Sequence, residues 1–241
     1  MSRLAVEQIQ SYAGHKGAIF ALCADEENNC FYSAADDGIV VKWPLDADNN
    51  TGEGMLSVGR AVYALSIVPE KRQLWVGASD GKIYVVDTES RKLISTLSAH
   101  THAIYQLKYE PTHHQMWVLA ANGWLSLIDT EKLTTSFSRQ IHSENLRSLV
   151  FHVDQAFIGS SDHSIRQYGI DSPDKETYKW EAHSRSVFSL LIHPGAHYLM
   201  SGGMDAQLAI CDLKQEYILK RKIPDHYIKV NDLSLSTSND N

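Results

Sequence analysis

Histidine, aspartate and serine are the residues in this chain whose types could support acid–base, nucleophilic or metal chemistry. Five histidines precede apolar segments, separated by 41 to 43 residues or by twice that interval: His15, His100, His142, His183 and His226. Turn residues recur at intervals of 40 to 43: Asp37, Asp80, Asn122, Asp162 and Asp205. Imidazoles and carboxylates that converge can hold a metal ion or act as a general base. A fixed period instead indicates that each His–Asp pair belongs to its own structural repeat.

One stretch places a serine, an aspartate and a histidine almost side by side, at Ser160, Asp162 and His163. Neighbours in sequence do not by themselves have the geometry of a catalytic triad, and this stretch occupies the turn position of its repeat. The chain contains no nucleophile elbow, phosphate-binding loop, dinucleotide fingerprint or paired-cysteine zinc motif. We therefore predict no catalytic residue, no metal site and no cofactor.

Short strands and tight turns must position these residues. Residues 33–43, SAADDGIVVKW, contain an Asp-Gly turn between two strand-like runs, which is a strong hairpin signal. The second repeat has Val58 where the others have histidine. Apolar residues follow these landmarks by four and seven positions: Ile19 and Leu22, Val62 and Leu65, Ile104 and Leu107, Leu146 and Leu149, Val187 and Leu190, and Val230 and Leu233. No window sustains a helical period, so the sequence predicts an all-β repeat array.

Gly14-His15, the Asp37-Gly38 turn and Trp43, in units that recur about every 42 residues, resemble the repeats of the WD-repeat β-propeller family. The resemblance covers nearly the whole chain, although only the first unit has the Trp, and Pro44 follows it instead of Asp. It implies one propeller domain over residues 1–241, with five complete four-stranded blades and the first strand of a sixth. The expected units are 14–54, 55–97, 98–140, 141–181, 182–223 and, in part, 224–241, with residues 5–12 as the outer strand of the last blade.

Propellers of this family usually have seven blades, which at this period would require roughly 290 residues. The sequence has 241. We therefore expect it to be a truncated product or the N-terminal part of a longer protein. An open ring would expose strand edges and apolar blade faces, so self-association is also expected.

The resemblance further implies a hydrogen-bonded chain inside each blade, formed by the histidine, a second-strand Ser, the turn Asp and the Trp. In the first unit these are His15, Ser33, Asp37 and Trp43, and in the fifth unit they are His183, Ser201 and Asp205, with Cys211 in place of Trp. Two units would retain only a pair, which is His100 with Asn122 in the third and His142 with Asp162 in the fourth.

In WD-repeat proteins, residues that contact partners cluster on one face of the ring, three and five positions after the histidine and one before the turn Asp. Mapped onto this chain, these positions give the following predicted binding residues: Phe20, Tyr63, Tyr105, Arg147, Phe188, Asn231, Asp36, Asn145 and Met204. Aromatic residues and arginine are the types that most often dominate binding energy at interfaces. The alternative is that the rings close the central channel or pack between blades.

The formal net charge is −7, and no basic run exceeds Lys220-Arg221-Lys222, so a nucleic-acid partner is not expected. No apolar run is long enough to cross a bilayer, and no membrane partner is expected. The odd number of cysteines and the absence of a signal-peptide pattern favour the cytoplasm. The sequence thus predicts a non-catalytic scaffold that binds a protein or peptide across the propeller face. The alternatives are a propeller-scaffold hydrolase or lyase, and a structural subunit that uses the blade rims.

Overall fold

The computed structural model describes residue 8 and residues 10–45, 51–193, 195, 197–214, 218–223 and 229–234. The first sheet contains β1 (Ile19–Asp25), β2 (Cys30–Ala35), β3 (Ile39–Pro44) and β4 (Glu53–Ser57). The second contains β5 (Val62–Val68), β6 (Gln73–Ala78), β7 (Lys82–Asp87) and β8 (Leu93–Ser98). The third contains β9 (Ile104–Glu110), β10 (Gln115–Ala120), β11 (Trp124–Asp129) and β12 (Thr134–Gln140).

The fourth sheet contains β13 (Leu146–His152), β14 (Gln155–Ser160), β15 (Ser164–Gly169) and β16 (Ser172–Glu181). The fifth contains β17 (Val187–His193), β18 (Tyr198–Gly203), β19 (Leu208–Asp212) and β20 (Ile218–Ile223). Within each sheet, strands that follow one another in sequence pair antiparallel. The prediction of an all-β fold with five four-stranded blades is therefore confirmed.

A tight turn joins the second and third strands of every blade, and its backbone geometry explains the Asp-Gly signal. The residue after the turn Asp or Asn has positive φ in all five blades, at 74° for Gly38, 83° for Gly81, 73° for Gly123, 75° for His163 and 61° for Ala206. Glycine adopts this region without steric cost, whereas His163 and Ala206 adopt it with some strain. The register that the turn sets places the second-strand residue Ser33 opposite Val41.

The blades pack side by side through their first strands, because β1 contacts β5, β5 contacts β9, β9 contacts β13 and β13 contacts β17. Branched aliphatic side chains from one blade press on small residues of the blade before it. A Cβ on Gly77 would lie 2.8 Å from Cγ2 of Ile104, and one on Gly159 would lie 2.8 Å from Cγ1 of Val187. Glycine at these positions therefore permits the close approach of neighbouring blades, and the apolar core lies mainly between blades.

The first blade exposes a surface that the other blades bury. Ile19 and Leu22 are 53% and 67% exposed, although they occupy the same register positions as Ile104 and Leu107, which are 0% and 3% exposed. Each of those buried residues faces the preceding blade, whereas the described part of the chain places no sheet against β1 on this side. A shallow cavity of about 190 Å³ opens on this surface between β1 and the side chains of Tyr12 and Trp43.

Two predicted end strands differ from the structure. Residues 229–234 form no strand. The Val230 amide donates a hydrogen bond to the Gly203 carbonyl at 3.0 Å, but a strand requires a continuous ladder of such bonds. In the predicted strand 5–12, residues 5–7 and 9 lie outside the described residues, and residues 8 and 10–12 are not in a strand. Tyr12 instead packs edge-on against Phe31 of the first blade, with ring centroids 5.0 Å apart.

Among the described residues, no helix has the length and hydrophobicity needed to cross a membrane.

Candidate interaction face

The first blade contains an unbroken chain of side-chain hydrogen bonds that links its third strand to the loop before β1. The Trp43 indole N–H donates to Ser33 Oγ at 2.7 Å, and the Ser33 hydroxyl donates to His15 Nε2 at 2.6 Å. His15 Nδ1–H then donates to the Asp37 carboxylate at 3.1 Å. Because Nε2 accepts from the serine, the proton of a neutral His15 must lie on Nδ1. The histidine is thus used for packing and loop placement.

Asp37 also accepts hydrogen bonds from the Lys16 and Ile39 amides, at 2.8 and 3.0 Å. Burial raises the pKa of this carboxyl, but the hydrogen bonds from the two amides and from His15 together lower it by more, so the net pKa lies below its usual range. The carboxylate therefore remains charged and holds the loop that leads into β1.

The fifth blade repeats this chain without the indole. Ser201 Oγ donates to His183 Nε2 at 2.8 Å, and His183 Nδ1–H donates to Asp205 at 2.9 Å. Asp205 also accepts from the Ser184 amide at 2.9 Å. Cys211 is buried at the position that Trp43 occupies in the first blade. Each imidazole therefore belongs to its own blade, and the two do not converge on a shared site.

A row of aromatic and cationic side chains crosses one face of the propeller, at the starts of the first strands. The Phe20 and Tyr63 rings meet edge-on at 5.0 Å, and the Tyr63 and Tyr105 rings stack at 5.9 Å. The Arg147 guanidinium lies 4.0 Å above the Tyr105 ring and 5.8 Å from the Phe188 ring. Five residues from five blades thus form one continuous surface, which we call the aromatic row.

The other predicted binding residues flank this row. Asp36, Met204 and Asn231 are exposed, and Met204 is 43% exposed. Asn145 is half-buried, and its side-chain oxygen accepts a hydrogen bond from the Asn122 amide at 2.9 Å. Asn145 therefore braces the loop between the third and fourth blades, a role that its position in the sequence does not reveal. The binding role of these residues stays a prediction.

The family model described as WD domain, G-beta repeat, matches the chain at residues 6–43 and 174–212. These ranges contain the hydrogen-bonded chains of both the first and the fifth blade. The chain therefore contains WD repeats at these two places. No curated protein gave a significant match. Propellers of this family are generally scaffolds for protein interaction, so the aromatic row is the candidate interaction surface.

The third blade departs from the predicted pairing. His100 Nε2 hydrogen-bonds with Ser126 Oγ at 3.1 Å, and Ser126 in turn donates to Ser138 at 2.7 Å. The predicted partner, Asn122, instead uses its backbone amide to bind Asn145. The prediction of a His100–Asn122 pair is therefore wrong, because the third strand supplies the hydroxyl group. Burial, together with the neighbouring His102, lowers the pKa of His100 to about 4.

The fourth blade keeps the predicted pair, with His142 Nε2 3.2 Å from Asp162, but adds an arginine to it. Arg166 donates to Asp162 through two nitrogens, at 3.0 and 2.6 Å, and its Nε lies 2.9 Å from Glu176. The Arg166 side chain is only 3% exposed. Burial raises the pKa of Asp162, but hydrogen bonds from Arg166 and Ser164 lower it more, so its net pKa is far below normal.

Among the described residues, no three His, Cys, Asp or Glu side chains are grouped as a metal ion would require.

The low pKa of His100 predicts a loss of stability in mild acid. Its folded-state pKa is about 4, below the unfolded value near 6.5, so the unfolded chain binds the extra proton between these values. The contribution of neutral His100 is therefore complete above pH 6.5 and lost as the pH falls toward 4. We expect the free energy of unfolding to drop by about 2 kcal/mol across this window from this residue. Urea denaturation at pH 7 and pH 4.5 measures the change.

The His100→Gln variant should lose less stability than the wild type over the same pH interval. The control is His102→Gln, which removes an exposed histidine two residues away; it should keep most of the pH dependence, because burial is the larger cause of the low pKa of His100. Equal pH dependence of the wild type and His100→Gln would contradict the assignment.

Proposed function

We propose that this protein is a non-catalytic scaffold that binds a segment of a partner protein across the aromatic row. The observation that supports the proposal is the continuity of the row, from Phe20 through Tyr63, Tyr105 and Arg147 to Phe188. These rings are half-buried or exposed, so a partner would remove apolar surface from water without the face having to unfold.

The neighbouring residues at the strand starts are small, which leaves the rings accessible from above. Ala18, Ala61 and Ala103 hold the positions two residues before the first three rings, and Asn145 and Ser186 hold the next two. Hydrogen bonds hold the backbone at these positions in place: Asp36, Ser79 and Ala121 donate their amide hydrogens to the three alanine carbonyls at 2.9 Å. A fixed backbone with accessible rings reduces the entropic cost of binding.

The double variant Tyr105→Ala/Arg147→Ala is expected to lose most partner binding. Truncation of one central aromatic or arginine residue at an interface typically costs about 2 kcal/mol, which is roughly a 30-fold loss in affinity. The measurement is affinity capture of interacting proteins from cell extract, followed by mass spectrometry, with the wild type and the variant compared quantitatively.

Tyr198→Ala is the matched control, because Tyr198 is exposed at the start of β18, which lies at the opposite end of the strands from the row. It should retain all partners. Recovery of the same partners at wild-type levels by the double variant would place the binding site elsewhere. Thermal unfolding of each variant must match the wild type for the comparison to count.

A second interaction is proposed at the exposed face of the first blade, where two copies would meet through Ile19 and Leu22. Buried equivalents of these residues pack against a neighbouring sheet in the other blades, and a two-fold axis would bring two identical aliphatic faces together. Sedimentation velocity at protein concentrations from about 1 to about 100 µM is expected to detect a concentration-dependent dimer. Leu22→Asp should abolish it, and a wild type that stays monomeric throughout would refute it.

We propose that the protein is located in a reducing compartment, such as the cytoplasm. Cys23 and Cys30 are free thiols, and Cys30 is buried. Free buried thiols persist where glutathione keeps them reduced. Subcellular fractionation of the tagged protein tests this location.

A further inference from the structure

The cationic end of the face differs from its aromatic end in a way that indicates the chemistry of the partner. Arg147 is held in place on three sides: Tyr105 lies against its guanidinium at 4.0 Å, Phe188 lies at 5.8 Å, and its Nε donates to Ser161 Oγ at 3.1 Å. The guanidinium is therefore oriented before any partner arrives. The described protein groups use only Nε, which leaves the two terminal nitrogens available as a fork of donors.

Lys229 adds a second positive charge to the same end of the row. Its Nζ lies 5.5 Å from the centre of the Phe188 ring, so Arg147 and Lys229 both lie near the same ring. Phe188 thus provides an apolar surface next to two cations, and each cation gains from its contact with the ring.

Neither of these charges is neutralised by the described part of the chain. No carboxylate among the described residues lies within 4 Å of Arg147 or Lys229, whereas Arg166 has Asp162 and Glu176, and Arg60 has Asp80. The nearest acidic residue in sequence, Glu144, lies three positions before Arg147 and forms no ion pair with it. A local positive pair on a chain of net charge −7 marks a place where an anion is favoured over the rest of the surface.

We infer that the partner segment places an anionic side chain, a carboxylate or a phosphate, between Arg147 and Lys229 and against Phe188. This inference rests on the proposed function. A guanidinium with both terminal nitrogens free matches the planar, two-oxygen edge of a carboxylate or phosphate. The methylene groups of the same side chain would lie on Phe188, and apolar neighbours in the segment would lie on Tyr105 and Tyr63.

The test selects random 12-residue peptides from a phage-displayed library on the immobilised wild-type protein. Selected peptides are expected to carry Asp or Glu next to aliphatic or aromatic residues. Each is then synthesised in three forms, with Glu, Gln or phosphoserine at the acidic position. The Glu-to-Gln change should weaken binding about tenfold, and raising the salt from 50 to 500 mM should weaken the Glu form more than the Gln form.

Variants separate this inference from the proposed function. Arg147→Gln and Lys229→Gln should each weaken the Glu peptide and leave the Gln peptide nearly unchanged, whereas Tyr63→Ala should weaken both. Lys92→Gln, which removes an exposed cation between β7 and β8, is the charge-matched control and should change neither. A phosphoserine form that binds more than tenfold tighter than Glu identifies phosphate as the anion, and equal or weaker binding identifies carboxylate.

If Tyr63→Ala weakens every peptide but Arg147→Gln and Lys229→Gln weaken none, the face binds partners and the anionic inference is wrong. If Tyr63→Ala also has no effect, the proposed face itself is wrong.

Discussion

Replacement of Asp162 by Ala is expected to destabilise the chain by about 3 kcal/mol, because it strips a buried arginine of its main counter-charge. Arg166 is 3% exposed and would lose hydrogen bonds of 3.0 and 2.6 Å. Glu176 would remain at 2.9 Å from its Nε, which places the cost at the lower end of the range for broken buried pairs. Urea denaturation at pH 7, followed by tryptophan fluorescence, measures the loss.

The double variant Asp162→Ala/Arg166→Met should recover much of that stability, because no unpaired charge is left in the blade. Asp154→Ala is the matched control in the same blade: this aspartate is exposed, and its substitution is expected to change stability by less than about 0.5 kcal/mol. If the stability lost by the double variant equals the sum of the losses of the two single variants, Asp162 and Arg166 are not energetically coupled, contrary to this prediction.

The low pKa of Asp162 also fixes the pH range in which this ion pair acts. A carboxyl whose folded pKa lies below its unfolded value contributes stability above the unfolded value, near 4, and loses it as the pH falls toward the folded one. The difference between wild type and Asp162→Ala should therefore be full at pH 7 and shrink only in strong acid. This window lies below the one expected for His100.

The blade repeat was predictable from sequence because its signals are local. A turn that requires positive φ selects Asp-Gly, so Gly38 and Gly81 mark two of the hairpins directly. The period then located the other turns even where glycine is absent, as at His163 and Ala206. For the same reason Asp162 and His163 were correctly assigned to a turn.

The content of the individual hydrogen-bonded networks was less predictable, because it depends on cross-strand pairs. In the first and fifth blades the second strand supplies the hydroxyl and the third strand an apolar partner, in the pairs Ser33–Val41 and Ser201–Ala209. In the third and fourth blades this order is reversed, in the pairs Val118–Ser126 and Ile158–Arg166. Pairing the residues of the second strand with those opposite them on the third strand would have identified Ser126 and Arg166 from the sequence.

Two further features depend on long-range contacts. The polar stretch that begins β16 has no strand-like pattern, yet it pairs with β15: Tyr168 lies opposite Glu176, and the register shifts on either side of that pair. The stacking of Arg147 on Tyr105 joins residues 42 positions apart, and no local pattern encodes which face of a strand start the rings occupy.

Leu107→Ala is expected to cost about 2 to 5 kcal/mol, whereas the equivalent substitution in the first blade, Leu22→Ala, is expected to cost less than about 0.5 kcal/mol. Both residues stand seven positions after their landmark histidine, so the chemistry and the strand context are matched. They differ in burial, since Leu107 is 3% exposed and Leu22 is 67% exposed. Removal of a buried side chain leaves a cavity between blades, while removal of an exposed one leaves none.

Urea denaturation of both variants at about 1 and about 50 µM protein distinguishes the possible causes. These concentrations bracket the order of magnitude of the dissociation constant of a weak dimer. A cost for Leu22→Ala that grows with concentration would mean that a second copy covers the first blade, as proposed, because association stabilises only the protein that retains the apolar face. A large loss of stability at both concentrations would mean that this chain itself buries Leu22. The description of the first blade's face as exposed would then be wrong. The cost of Leu107→Ala should not depend on concentration in either case, because its neighbours belong to the same chain.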